Sequence, residues 1–331
     1  MKRIAALFLA LFIIATAFVA CTQPNTDNNE NNNDNTNNEN NNDNGNNENN
    51  TPTENEYTLS IGVVVTENLA TLKLTETVAT LVTDKDGKIV LCRIDCVDYS
   101  GKYDTEGALI TTAPTSKVTL GDAYSGMPAG SWATQGAAFE QFVIGKTQAE
   151  VTALVNENGY AADAELIASC SINISDIAKA VDNAFKSANK VTFKTTAESF
   201  TAGLNYKGAV KDASTDESKS ITFTATYAAT VLVEGKVVAA ILDCAEASLK
   251  DITDDGAASV SFAGTKREQG DNYTMTSGAW YVQADAYAKA AEGKSAADIA
   301  TIATEGVAGC TMPYSTYDFK AALESAVASA R

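Results

Sequence analysis

The chain contains no histidine. That absence removes the usual general base, the Ser-His-Asp and Cys-His arrangements and most zinc sites together. Cations are also scarce, with 24 Lys and Arg against 42 Asp and Glu, for a net charge of −18. Phosphate backbones require stripes of Lys and Arg, so this balance excludes nucleic acid as a partner. The 331 residues and 45% hydrophobic content suit two domains with real cores.

A long apolar run occurs at the N-terminus, from Ile4 to Val19 behind Lys2 and Arg3. It is short and wrongly flanked for a spanning helix and reads as a signal peptide over residues 1–20. Its end, Phe18-Val19-Ala20-Cys21, resembles a bacterial lipobox, with Phe18 where Leu is usual. The resemblance implies cleavage before Cys21 and lipidation of its thiol. Residues 21–56 then form a tether of Asn with scattered Asp and Glu, without Lys or Arg. It has little to bury and is expected to be disordered, with a reach of roughly 30–35 Å. The folded part is thereby anchored by lipid at the cell membrane, facing outside the cytoplasm.

The remainder reads as one unit written twice, over residues 57–188 and 189–331. Thr80 to Cys96 pairs with Thr230 to Cys244, each an apolar run, a turn and an alternating strand. The turns are Asp84-Lys85-Asp86-Gly87 and the shorter Glu234-Gly235. Val90, Cys92, Ile94 and Cys96 share one face, as do Val238, Ala240, Leu242 and Cys244, with Asp95 and Asp243 opposite. Further matches are Ser116-Lys117 with Thr265-Lys266, Gly121-Asp122-Ala123-Tyr124 with Gly270-Asp271-Asn272-Tyr273, and Trp132 and Gln135 with Trp280 and Gln283. Helices are expected over Trp132 to Ile144 and Trp280 to Glu292, ended by Gly145 and Gly293, and again from Ser175 and Ser315. Tyr57 to Val82 supplies strands for the first sheet; Val191 to Tyr206 and Ile221 to Val233 supply the second. The fold class is α+β, two tandem repeats of an antiparallel sheet packed with helices.

Two spellings imitate a nucleotide site. Gly145-Lys146-Thr147 and Gly293-Lys294-Ser295 look like the end of a P-loop, but Glu140 and Ala288 stand where its first glycine belongs. Both follow helices rather than strands. They read as cap punctuation, with Thr147/Glu150 and Ser295/Asp298 opening the next helices. No hydrolase, NTPase or metal site is expected.

The cysteines sort by the same repeat: Cys96 with Cys244, and Cys170 with Cys310, while Cys92 has no counterpart. In an exported chain this pattern allows disulfides Cys96–Cys170 and Cys244–Cys310. Five small buried thiols in a reducing setting is the competing reading.

The hydroxyl-bearing stretches, Glu165 to Ser171 and Glu305 to Thr311, carry a family resemblance. With the Asp-Gly-Lys turn between strands, they resemble the FMN-binding domain family. It includes flavin subunits of sodium-pumping NADH:quinone reductase and flavinylated lipoproteins of extracellular electron transfer. The family motif runs Asp-x-x-Ser/Thr-Gly-Ala-Thr, with FMN phosphate esterified to the last threonine by a flavin transferase. In the second copy Glu305 takes the Asp place, Ala308 the Ser/Thr place, Gly309 matches, Cys310 replaces Ala and Thr311 is the acceptor. In the first, Glu165, Ala168, Ser169, Cys170 and Ser171 fall in those places.

The resemblance implies covalent FMN at Thr311, with Ser171 as the weaker site. Lys266 would neutralise the phosphate, and Tyr273 and Trp280 would flank the ring or pack in the core. The chain would then be an electron carrier, with no catalytic residue of its own, working with membrane redox proteins. The alternative is a non-catalytic surface lipoprotein that keeps the fold as a binding or structural module without cofactor. Small-ligand capture between the two halves is a third reading, with no residue that distinguishes it.

Overall fold

In β2 (Lys73–Asp84), Leu74, Val78 and Val82 alternate with Thr77, Ala79 and Leu81, so both faces of the strand carry apolar side chains. Both faces are covered. The computed structural model describes residues 53–111, 114–197, 199–253, 257–276, 278–302, 307–311 and 318–331. The signal peptide, Cys21 and the tether up to residue 52 lie outside the described residues, as do Glu305 and Ser315.

The first sheet contains β1 (Asn55–Asn68), β2, β3 (Ile89–Tyr103), β4 (Leu109–Thr111) and β5 (Val191–Thr195), in the order β4-β3-β2-β1-β5. The second contains β6 (Thr201–Asp212), β7 (Ile221–Val233), β8 (Lys236–Lys250) and β9 (Ser259–Phe262), in that order. Pairing in both is antiparallel. A small ribbon, β10 (Thr274–Met275) and β11 (Gly278–Ala279), stands apart. Among the described residues the α-helices are α1 (Lys117–Leu120), α2 (Trp132–Phe142), α3 (Gln148–Thr152), α4 (Ala164–Ser169), α5 (Ser175–Lys186), α6 (Lys266–Gln269), α7 (Trp280–Ala291), α8 (Ala296–Ile299) and α9 (Phe319–Ala328).

Three apolar cores stack through the fold. The middle one joins the two sheets, with Leu59, Val78, Val97 and Tyr99 meeting Phe223, Tyr227, Ile241 and Leu249. The first outer core packs α2 and α5 on the first sheet, through Trp132, Phe139, Ile177 and Val181. The second packs α7 and α9 on the second sheet, through Trp280, Tyr287, Phe319 and Leu323. The order is helices, sheet, sheet, helices, a mixed α+β architecture.

Two glycines set how closely the helices lie. A Cβ added to Gly62 of β1 would stand 2.2 Å from Ala180 O of α5, and one on Gly203 of β6 would stand 1.8 Å from Ala326 O of α9. Only a residue without a side chain admits a helix backbone this near a strand.

The turns follow their residues. Asp84 Oδ1 accepts from the N–H groups of Asp86 and Lys88, both at 2.9 Å. Glu234 and Gly235 both take positive φ, 50° and 74°, which a two-residue hairpin requires. The capping boxes at Thr147/Glu150 and Ser295/Asp298 form. Gly145 and Gly293 do more than end helices: their N–H groups donate to Ile89 O at 2.7 Å and Val237 O at 2.8 Å, tying each helix end to the start of a strand.

Three expectations need correction. Val191–Thr195 does not join the second sheet; it pairs with Asn55–Leu59 of the first, where Phe193 stacks on Tyr57. Val90 and Val238 do not continue the faces of their strands. The register slips between Val82 and Thr83 and between Val231 and Leu232, leaving each valine as the extra residue of a β-bulge. Ile89 and Val237 therefore take the helix-facing places. Thr80 and Thr230 are not equivalent either. Thr80 alternates with the intersheet residues Val78 and Val82, whereas Thr230 alternates with Ala228 and Leu232 on the helix side.

Candidate functional site

Each hydroxyl-bearing stretch is held by a buried glutamine one turn into a helix. In the first half Asp163 caps α4, accepting from Glu165 N at 2.9 Å, so Glu165 to Ser169 is helical and Cys170 ends it. Ser171 then turns inward. Gln135 Oε1 accepts from Ser171 N at 2.7 Å, Ser171 Oγ at 3.0 Å and Ile172 N at 3.1 Å. Gln135 Nε2 donates to Gly130 O at 2.9 Å. In the second half Gln283 Oε1 accepts from Thr311 N at 3.0 Å and Thr311 Oγ1 at 3.1 Å, while its Nε2 donates to Gly278 O at 3.4 Å. Gly309 reaches this turn at φ 84°. Ser171 is half-buried and Thr311 exposed. The hydroxyls proposed as phosphate acceptors are thus donors to a core amide.

The second recurring arrangement surrounds Asp95 and Asp243. Asp95 Oδ1 accepts from Cys96 N at 2.7 Å and Val118 N at 3.2 Å; Asp243 Oδ1 accepts from Cys244 N at 2.7 Å and Arg267 N at 3.2 Å. Each aspartate fixes a short helix whose N-cap is Ser116 or Thr265. Burial pushes both carboxyls up to about 6, against the pull of these hydrogen bonds and, for Asp243, of Arg267.

The lysine beside each cap is spent within the fold. Lys266 is buried, 3.3 Å from Glu246, with its ammonium 3.5 Å from the centre of the Tyr273 ring. Lys117 repeats this with Asp98 at 3.4 Å and Tyr124 at 5.0 Å. The charge expected to meet a phosphate is matched by a carboxylate and covers the tyrosine expected to flank a ring. Trp280 is fully buried, edge-on to Phe319 at 5.3 Å between centroids.

The matched cysteines fall in the same core in each half, without bonding. Cys96 and Cys170 share the first outer core, and Cys244 and Cys310 the second. Among the described residues no disulfide forms; Cys92, Cys96, Cys170, Cys244 and Cys310 are buried thiols. Cys96 Sγ lies 3.7 Å from the hydroxyl of Thr77, and burial pushes its thiol up to about 11. Burial likewise raises the Cys92, Cys170 and Cys244 thiols. Among the described residues no group of three or more His, Cys, Asp or Glu side chains could hold a metal.

Two buried ionisable features escape a motif reading. Glu76 of β2 and the Arg93–Glu140–Arg331 cluster match no recognisable spacing, because each assembles residues distant in the chain. The glutamine latch was closer to view. Trp-x-x-Gln stands in both halves, and its reach toward a downstream hydroxyl is the signal that would have identified it. No family model, curated protein or solved structure matches the chain.

Proposed function

We propose that this chain is an exported lipoprotein, anchored to the membrane by lipid at Cys21, whose folded part is two tandem copies of an FMN-binding-like unit kept as a binding module without covalent flavin. One observation carries the choice: the hydroxyls of Thr311 and Ser171 are hydrogen-bonded to buried glutamines. Esterifying either would cost that bond and leave the core amide oxygen short of a donor. Support comes from Lys266 and Trp280, both engaged inside the fold. The two-copy reading draws on the paired latches and the paired aspartate caps.

A flavin-carrying reading retains one favourable observation, the exposure of Thr311. On that reading FMN is esterified at Thr311 by a flavin transferase, and the chain passes electrons between membrane redox proteins and outside acceptors. Coexpression with an active flavin transferase separates the two. The expected result is no mass gain and no in-gel flavin fluorescence. A gain of one FMN, abolished by Thr311→Ala, would establish the electron carrier instead.

A further inference from the structure

Where β3 of the first sheet meets β6 of the second, a carboxylate is enclosed by donors. Glu140 Oε1 accepts from Ile94 N–H at 2.9 Å. Arg331 Nη2 lies 2.9 Å from both oxygens of Glu140, and Arg93 Nη1 lies 3.4 Å from Oε2. Arg93 also bridges the sheets, its Nε donating to Ala202 O at 3.1 Å. A buried charge is tolerated here because every side of it meets a cation or an N–H.

The other edge, where β8 meets β1, has the same backbone and different side chains. Leu242 lies opposite Ala228 as Ile94 lies opposite Ala79, two residues before each matched cysteine. On the two-copy reading, Ile241 therefore stands at the place of Arg93 and Ala288 at that of Glu140. What replaces the ion cluster is a cleft of about 510 Å³, floored by Ala240, Ile241, Ala286 and Ala288 and walled by Arg267 and Asp285. This volume suits a small-molecule site. A second cleft of about 480 Å³ shares Ala188, Asn189 and Arg267 and extends the groove.

Of the donors that serve Glu140, the backbone N–H alone has a counterpart at the second edge, Leu242 N–H, and Arg267 brings a cation to that edge from another place in the fold. Leu242 turns its carbonyl to the edge, where it accepts from Arg267 Nε. Among the described residues no side chain accepts from Leu242 N–H, the counterpart of the N–H that binds Glu140. Arg267 is 6% exposed; its Nη2 pairs with Asp285, and Nη1 makes no hydrogen bond among the described residues.

We infer that this cleft binds a small aliphatic carboxylate, whose anionic end takes the position that the Glu140 side chain fills at the other edge. The carboxylate accepts from Leu242 N–H and Arg267, a charge-assisted pair, and the alkyl tail lies on the alanine floor. Lys190, Lys289, Asp285 and Glu292 also line the cleft, and Lys289 pairs with Glu292 as Arg267 does with Asp285. The inference rests on the two-copy reading, and it supplies the ligand that the proposed binding module lacks.

The test titrates sodium butyrate, with butyramide as the neutral isostere, into the full chain in detergent while following thermal unfolding. Butyrate should raise Tm saturably and butyramide should not. Ala288→Glu, which supplies the carboxylate from within, should weaken the butyrate effect at least tenfold. Arg267→Lys, which keeps the charge and loses the second donor, should weaken it about fivefold, so the test does not depend on one variant folding. In parallel, Glu140→Ala should lose Tm that acetate restores saturably. Acetate rescue with no butyrate response in the unaltered chain would leave the two-copy reading standing and overturn the cleft site. A butyrate response unchanged in both Ala288→Glu and Arg267→Lys would place binding elsewhere and overturn it too. Absence of both acetate rescue and a butyrate response would overturn both.

Discussion

Tyr227 of β7 donates its phenolic hydrogen to Glu76 of β2 across the middle core, joining the two sheets through a carboxyl that no cation among the described residues neutralises. Glu76 is fully buried, and its second oxygen has no hydrogen-bond partner among the described residues. Tyr99 approaches from the neighbouring strand without a bond of good geometry. Burial pushes the Glu76 carboxyl from its ordinary 4.5 up to about 8, against the pull of the two phenols. The folded protein therefore holds a proton at neutral pH that the unfolded chain releases.

This fixes the sign of a pH dependence. Below about 4.5 both states bind the proton, and above about 8 neither does. Between these values the folded state binds more, so stability falls as pH rises through the window. Asp95 and Asp243, raised to about 6 from 3.8, act in the same direction over the lower part. Glu76→Gln should match the unaltered chain within about 1 kcal/mol at pH 5.5 and exceed it by roughly 2 kcal/mol or more at pH 9. Urea unfolding at the two pH values measures this. An equal difference at both would show that Glu76 carries no proton of its own in the fold.

The glutamine latches should rank by the donors they satisfy. Gln135 Oε1 takes three and Gln283 Oε1 takes two. Truncating either strands N–H groups, at roughly 1–3 kcal/mol. Gln135→Ala is expected to destabilise more than Gln283→Ala, and both more than Thr311→Val, which loses one exposed donor at about 1 kcal/mol. Urea unfolding of the three variants checks the order. Thr311→Val as the most damaging would point to a role for that hydroxyl beyond the latch.

How far the sequence reveals these features depends on how local they are. The Asp84–Gly87 turn, the Glu234-Gly235 hairpin and both capping boxes are written within five residues and could be read directly. The membership of Val191–Thr195 could not. A short β-branched strand carries no mark of which sheet will accept it, and here the register to Asn55–Leu59 decides. The bulges at Val90 and Val238 break an alternation that looks regular on paper, because a bulge leaves composition unchanged and moves only the register. Gln135 and Gln283 were visible as a matched pair, but the N–H groups they accept from lie 36 and 28 residues away. Glu76 and Tyr227 are 151 residues apart and belong to no pattern.

Gly62 and Gly203 should resist alanine despite lying within strands. At an ordinary strand position glycine to alanine stabilises by restricting the unfolded chain. Here the added methyl would meet helix backbone at 2.2 and 1.8 Å, and neither a carbonyl nor an N–H can rotate away. The helix must lift, opening an outer core. Each substitution is expected to cost about 3 kcal/mol, while Gly101→Ala, which meets only the tip of the Ile221 side chain at 2.9 Å, should cost less. Chemical denaturation of the three variants tests it, and a neutral Gly62→Ala would contradict the packing of α5 on β1.

The thiols give a test that depends on state. Cys92, Cys96, Cys170, Cys244 and Cys310 are buried and unbridged, so iodoacetamide should modify none of them in the native protein at pH 8 within an hour. Thiolate is the reactive form, and burial holding Cys96 near 11 leaves it protonated there. In denaturant without reductant all five should be alkylated, and intact mass of the lipidated chain, whose Cys21 thiol is blocked, should show five additions. Fewer additions, restored to five by prior reduction, would reveal Cys96–Cys170 or Cys244–Cys310 bridges. Each proposed pair lies within one core. Slow air oxidation of the native protein, followed by the same mass count, would then measure whether each core can close its bridge without first unfolding.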